Sequence, residues 1–243
     1  MGKLDGKVAL VTGANRGIGK AIARGLAREG AALITAARDG ALLEEAATEL
    51  REMGADVLPL PTDVTDEAQM EALFARGVER FGRLDVLVNN AGAFDGGPLD
   101  ELTLEAWERV MAVNLRGPFL GTRAAMRIMK QQKGGRIINI ASISAQRVRM
   151  NSAPYSTSKH GLWGLTQCTA LEGRPHGISC CCLHPGNALT ERRAESTREQ
   201  DREPMMTCDE LAAMAVFMAC QPPHVTVLEA IVMPVEQEYV GRG

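Results

Sequence analysis

Aromatic side chains are scarce in this chain: Phe, Trp and Tyr make up 4% of its 243 residues, and Tyr155 and Tyr239 are its only tyrosines. So few rings exclude a base-stacking platform for single-stranded nucleic acid. Neither sign of charge dominates, since 27 Lys+Arg face 30 Asp+Glu for a formal net charge of −3. A dedicated nucleic-acid binder would need a basic stripe that is missing here. No apolar run reaches the about 18 residues of a membrane span. The six cysteines are Cys168, Cys180, Cys181, Cys182, Cys208 and Cys220, and no pair has the two-residue gap of a zinc knuckle. They read as small buried apolar side chains in a reducing compartment, with no metal site. Residues 1–6 lack a charged-then-apolar leader, and Gly6 breaks the myristoylation pattern that Met1 and Gly2 open. The expectation is a cytoplasmic protein without a nucleic-acid or membrane partner.

Glycine, by contrast, is abundant at 25 residues, hydrophobic residues reach 45%, and charged residues reach 23%. That balance describes a folded chain and excludes general disorder. Apolar runs at 8–12, 32–36, 57–60, 84–89, 136–141, 178–183 and 225–233 alternate with helical stretches at 17–28, 42–53, 66–81, 103–132, 153–171 and 209–219. Runs without in/out alternation, separated by helices, predict parallel strands covered on both faces. Right-handed crossovers then give a doubly wound seven-stranded Rossmann sheet ordered 3-2-1-4-5-6-7. No Pro/Ser-rich linker interrupts the chain, so residues 1–243 read as one unit. Residues 186–207 are charged, flanked by Pro and Gly and poorly periodic, and read as a substrate lid.

The first turn reads Thr12-Gly13-Ala14-Asn15-Arg16-Gly17-Ile18-Gly19, after a strand and at the start of a helix. This is the context of a dinucleotide site. Gly13 permits a tight turn, Gly17 lets backbone N–H groups approach a pyrophosphate, and Gly19 allows close packing of helix on sheet. With this turn the chain resembles the short-chain dehydrogenase/reductase family, whose TGxxxGxG pattern it matches in full. Later motifs follow in the family's order, so the resemblance spans essentially the whole chain. It implies cofactor contacts from Gly13, Asn15, Arg16, Gly17, Ile18 and Gly19, and adenine contacts from Asp63 and Val64. Asn89-Asn90-Ala91-Gly92 matches the NNAG motif, which adds Asn90, Ala91 and Gly92.

NAD-preferring relatives end the second strand with an acidic residue on the ribose 2′-OH. Here that position falls on Ala37, followed by Arg38. No carboxylate there repels a 2′-phosphate, and Arg38 can take one through a charge-assisted, bidentate contact, with Arg16 approaching from the other side. Asp39 lies one residue too late for the ribose. The expected cofactor is therefore NADP(H) rather than NAD.

Tyr155 and Lys159 stand at i and i+4, on one face of a helix. A free phenol has a pKa of roughly 10, too high for a base at neutral pH, and a neighbouring ammonium stabilises its phenolate. Ser142, at the end of the fifth strand, can hold a substrate oxygen where negative charge develops. The resemblance implies Tyr155 as general acid/base, Lys159 as its electrostatic partner and ribose ligand, Ser142 as the orienting hydroxyl and Asn114 as support for a proton relay. Pro185, Gly186 and Thr190 resemble the PGxxxT stretch, with Thr190 on the carboxamide; Ala188 is smaller than the Val or Ile usual there.

Other residues read more plainly. His184, next to Pro185, reads as a satisfied structural histidine, and His160 and Trp163 as packing. Arg147 and Arg149 lie between Ser142 and Tyr155 and can meet an anionic substrate. Arg192, Arg193, Arg198 and Arg202 alternate with acidic residues, as on a solvated face. The ending, with Met233, Pro234, Gln237 and Tyr239, is similar to a subgroup that includes 3-hydroxy acid/serine dehydrogenases and clavulanic aldehyde reductases. The reading is thus a reversible reductase of a small carbonyl compound, or dehydrogenase of the alcohol, in a homo-oligomer (tetramer or dimer). Its rival is a catalytically silent nicotinamide-binding sensor or scaffold, against which the intact Ser142, Tyr155 and Lys159 set argues.

Overall fold

Strands that are largely apolar on both faces need cover on both, and the central strands have it. The computed structural model describes residues 2–195 and 203–238, with the backbone alone at Arg192. In chain order the elements are β1 (Val8–Thr12), α1 (Gly17–Arg28), β2 (Ala32–Ala37), α2 (Gly40–Glu52), β3 (Val57–Pro61), α3 (Glu67–Phe81), β4 (Val86–Asn89), α4 (Leu104–Met111), α5 (Gly117–Gln132), β5 (Gly135–Ile140), α6 (Ala153–Gly173), β6 (Ile178–Pro185), β7 (Ala188–Leu189), α7 (Glu191–Ala194), β8 (Met206–Thr207), α8 (Cys208–Ala219) and β9 (Glu229–Val232). The main sheet runs β3-β2-β1-β4-β5-β6-β9, and all its pairings are parallel. The doubly wound order expected from the sequence is the order observed.

Alternate residues of each strand feed two cores. Ala9, Val11, Leu33, Val88, Ile138 and Leu183 pack against Ile22 and Leu26 of α1, Leu43 and Leu50 of α2, and Leu211 and Met218 of α8. Leu10, Ile34, Leu87 and Ile137 face Leu73 and Phe74 of α3 and Leu120 and Met129 of α5. Each of the larger buried side chains contributes about 1.5–3 kcal/mol. Side chains of Asp39, Asp66, Thr103 and Thr207 accept from first-turn amides of α2, α3, α4 and α8, which sets where those helices start.

Three departures from the sequence reading have local causes. The helical stretch 103–132 is interrupted by a π-turn at Ala112–Arg116, whose only buried residue is Asn114. The last strand is Glu229–Val232 rather than 225–233, because Nη2 of buried Arg136 holds the carbonyls of Gln221, Pro222 and Val225 in a turn before pairing begins. Cys180, Cys181 and Cys182 are buried as expected, but Cys168 is exposed and Cys208 and Cys220 are half-buried. Cys168 falls off the buried stripe of α6, which runs through Leu162, Thr166, Thr169 and Gly173. The stretch 186–207 is framed by the short parallel pair β7–β8; its residues 196–202 lie outside the described residues, as do Arg198, Arg202 and Tyr239.

Candidate active site

Parallel strands end on one edge of their sheet, so the turns after β1, β4, β5 and β6 share that edge. The turn after β1 has left-handed backbone at Gly13 (φ 65°) and Gly17 (φ 55°), which glycine adopts without strain. A Cβ on Gly19 would lie 2.2 Å from the Gly13 carbonyl oxygen and 2.3 Å from Asn90 Nδ2. Gly19 is thus required by the close fit of α1 on the turn. Asn90 Nδ2 donates to the carbonyls of Thr12 (2.9 Å) and Gly13 (3.2 Å), while the amides of Asn90 and Ala91 donate to Thr12 Oγ1 (3.0 and 3.1 Å). Thr12 therefore joins the β1 and β4 turns, a role the sequence reading did not assign to it. Its position just ahead of Gly13 was the available signal.

The first free amide of α1 already holds an anion. Gly17 N donates to Oε1 of Glu191 at 3.2 Å, and Thr190 Cγ2 stands 3.3 Å from where a Gly17 Cβ would sit. A carboxylate on a helix N-terminus is favoured by the helix dipole and the orphan N–H groups, as a phosphate would be. The residues present therefore fit a dinucleotide phosphate. Nothing in the sequence marked Glu191, which lies 174 residues from Gly17. Arg16 and Arg38 are both exposed, and among the described residues neither has an ion-pair partner. Asp39 is committed elsewhere, since its Oδ1 accepts from Leu42 N at 3.1 Å. Asp63 Oδ1 accepts from Thr65 N (2.9 Å) and Thr65 Oγ1 (2.8 Å), and buried Val64 packs under Gly117.

The turn after β5 and the start of α6 bring together Ser142, Tyr155 and Lys159. Lys159 is buried, and its Nζ donates to the Ile140 carbonyl at 2.8 Å, two residues before Ser142. The same Nζ lies 5.7 Å from the Tyr155 ring centroid. Ser142 Oγ accepts from Ser144 N at 3.1 Å, which leaves its own proton to donate. The Phe94 ring lies 5.2 Å from that of Tyr155, at 59°. Asn114 is fully buried; its Nδ2 donates to the Ala93 carbonyl (2.9 Å) and Ser158 Oγ (3.1 Å), and its Oδ1 accepts from Ala93 N (2.7 Å). The π-turn thereby ties the β4 turn to α6, consistent with such turns clustering at functional sites.

Behind this edge, Pro185 ends β6 and Gly186 fits tightly under the C-terminal segment. A Cβ on Gly186 would meet Gln237 Oε1 at 2.3 Å and Met233 Cβ at 2.6 Å. That same Gln237 Oε1 accepts from Asn187 N at 2.8 Å. Arg149 Nη2 is 3.7 Å from Glu203 Oε2, and Arg149 shares a cleft with Leu99, Ser156 and His160. Arg147 is exposed. Burial pushes the Cys181 and Cys182 thiols up to about 12 and Cys180 well above its ordinary value, so none of the three supplies a thiolate near neutral pH. Among the described residues no group of three His, Cys, Asp or Glu could hold a metal, and no helix is long and apolar enough to cross a membrane.

Known proteins resemble this chain along most of its length. The model of the short chain dehydrogenase family matches residues 7–201. The oxidoreductase YxjF of Bacillus subtilis is 38% identical over 93% of this chain and 96% of its own. Glucose 1-dehydrogenase 2 of the same organism is 34% identical over 98% and 91%. The structure of an alcohol dehydrogenase from Thermococcus sibiricus, complexed with 5-hydroxy-NADP, superposes with a TM-score of 0.88 at 32% identity, covering 96% of this chain and 98% of that one. With the family's turn, sheet order and site-bearing strand ends all in one chain, this protein belongs to the short chain dehydrogenase family, oxidoreductases that use a nicotinamide cofactor on alcohol and carbonyl groups.

Proposed function

We propose that the chain is an NADP(H)-dependent oxidoreductase that interconverts a small carbonyl compound and its alcohol through Tyr155, Lys159 and Ser142. The observation that carries this reading is the Lys159 bond to the Ile140 carbonyl. It holds the ammonium at the end of β5, beside Tyr155 on α6 and two residues from Ser142. The bound nicotinamide supplies the chemistry of hydride donor or acceptor. Ser142, with its oxygen engaged by the Ser144 amide, donates its proton to the substrate oxygen and orients it. Tyr155 has no hydrogen-bond partner for its hydroxyl among the described residues. It gives a proton to the developing alkoxide in reduction and takes it back in oxidation. Lys159 stabilises the resulting phenolate. Asn114 has its side chain committed to Ala93 and Ser158, so the group it has left for a relay water is its main-chain carbonyl.

Gly13, Asn15, Arg16, Gly17, Ile18 and Gly19 would hold the pyrophosphate, and Asp63 and Val64 the adenine. Asn90, Ala91 and Gly92, with Pro185, Gly186 and Thr190, would frame the ribose and nicotinamide. Arg38 and Arg16 favour a 2′-phosphate because both are exposed and uncommitted, whereas Asp39 is used as the cap of α2. The chain reads as one unit throughout. Leu104, Phe119 and Leu171 on α4–α6, and Ile231 on the edge strand β9, expose 69%, 45%, 62% and 41% of their surface. That supports a homo-oligomer through those elements, which size-exclusion chromatography with light scattering measures.

The test is a panel followed by the absorbance of reduced nicotinamide: ethyl acetoacetate and 1,2-cyclohexanedione for reduction, D-glucose for oxidation. Tyr155→Phe should lower kcat on the compound turned over fastest by on the order of 10²–10⁴, with NADPH binding retained. Unchanged turnover by Tyr155→Phe sinks the proposal.

A further inference from the structure

His184 precedes Pro185 at the end of β6, and its ring is completely buried. Its Nδ1 lies 3.0 Å from the main-chain oxygen of Ser142. A carbonyl only accepts, so Nδ1 carries the hydrogen and donates it. On the opposite side of the ring, Nε2 is 3.2 Å from Oε1 of Glu229. Glu229 opens β9, opposite Cys182 of β6 in the register. The same Oε1 accepts from Nε2 of Gln146, the residue that follows the 3-10 turn Ile143–Ala145. Trp163 meets the imidazole edge-on, with centroids 5.7 Å apart and planes at 78°, and fixes its orientation. Two side chains from adjacent strands therefore grip both ends of the short turn that begins with Ser142.

We propose that His184 and Glu229 are positioning residues for Ser142. His184 holds the Ser142 carbonyl from beneath and Glu229 holds Gln146 at the far end of the turn; Nε2 faces the Glu229 carboxylate and donates to it only when the ring is protonated. Neither group reaches substrate or cofactor in this role. The inference rests on the reading of Ser142 as the hydroxyl that orients the substrate oxygen. A turn of so few residues transmits any slack at its ends to that hydroxyl, and a misplaced orienting group costs rate rather than affinity.

The charge state of the ring follows from the same contacts. The charged groups facing it are Glu229 on β9 and Lys159 on α6; burial and Lys159 pull the His184 pKa down, while the Ser142 carbonyl and Glu229 oppose them, and the net direction is below its ordinary 6.5. At neutral pH the ring is thus the Nδ1–H tautomer. On acidification it gains a proton at Nε2, directed at the Glu229 carboxylate.

The test uses the full chain in two measurements. In the first, NMR of protein carrying 15N-histidine, with His184 assigned through His184→Asn, should find Nδ1 protonated at pH 7.5. Its Nε2 titration should move to lower pH in Glu229→Gln, because a favourable negative charge is lost. An unprotonated Nδ1, or a titration indifferent to Glu229→Gln, overturns the clamp whatever the activity. In the second, the panel compound reduced fastest is assayed with NADPH. His184→Ala should lower kcat about tenfold, the effect of one lost hydrogen bond on the turn, with KM and the NADPH Kd unchanged. His184→Asn, whose amide can donate to the same carbonyl, should restore most of kcat even where its melting temperature stays low. Equal kcat for His184→Ala and wild type, or no rescue by His184→Asn, refutes the positioning role. Ser142→Ala separates the two claims: if it keeps full turnover, the reading of Ser142 fails and the positioning role falls with it. If it loses turnover while His184→Ala does not, only the positioning role fails.

Discussion

Removing Arg38 should cost NADPH binding and spare NADH. Arg38 follows the last residue of β2 and is exposed, and among the described residues its guanidinium has no ion-pair partner. Arg38→Ala therefore strands no buried charge and breaks no internal pair, so the change in affinity reports the missing phosphate contact alone. A charge-assisted hydrogen bond is worth about 1.5–3 kcal/mol, and exposure places this one at the lower end. At 1.4 kcal/mol per tenfold, the NADPH Kd should rise about 10- to 30-fold. The NADH Kd should stay within about twofold, since that cofactor has no 2′-phosphate for the side chain to meet. Titration of each reduced cofactor by its own fluorescence, at fixed ionic strength, measures both constants. Raising salt should shrink the NADPH preference of the wild type, because an exposed contact is screened over about 8 Å at physiological strength. Asp39→Ser provides the control: it keeps a cap for α2, and the preference should not move. A wild type that prefers NADH, or an Arg38→Ala variant that weakens both cofactors equally, would refute the reasoning.

Two further outcomes follow from single contacts. Glu191→Gln removes the carboxylate that occupies Gly17 N, so NADPH should bind several-fold tighter in the same titration; weaker binding would mean that Glu191 assists the cofactor rather than competing with it. Asp85 accepts from Val8 N at 3.0 Å and from Arg83 Nε at 2.7 Å. Burial pushes its carboxyl up, but the Arg83 and Val8 bonds with the Lys7 charge outweigh that and hold it below its ordinary 3.8. A lowered pKa in the folded state contributes stability above 3.8 that is lost as pH falls through the folded value. Asp85→Asn should therefore cost about 1–2 kcal/mol at pH 7, and urea melts at successively lower pH should show the gap to wild type closing below 3.8. A gap that stays constant with pH would count against the carboxylate as its source.

The sheet order was legible because most strands are largely apolar on both faces, and parallel strands with helical crossovers leave few windings. The turn at 12–19 was legible because its glycines are forced by local geometry, as the positive φ of Gly13 and Gly17 and the contact at Gly19 bear out. Asn114 was named, but its π-turn was not foreseen. Its helical periodicity continues on both sides, and the partner of its side chain is the backbone of Ala93, 21 residues away. His184 was read as a satisfied structural residue; the partner that matters, Glu229, sits on a strand the sequence started four residues early. Arg149 can meet an anion by its place between Ser142 and Tyr155, and only the fold brings Glu203 Oε2 to 3.7 Å from it.

What the sequence alone determined, then, is whatever depends on neighbours within a turn of helix or a few residues of strand: the sheet, the glycine turn, the i and i+4 placement of Tyr155 and Lys159. Only the tertiary structure decided which distant groups share the sheet edge, such as Glu191 on the amide of Gly17 and His184 beneath Ser142. Those pairs lie 174 and 42 residues apart. No local pattern encodes them, because their contact energy arises only after the strands have brought their ends together.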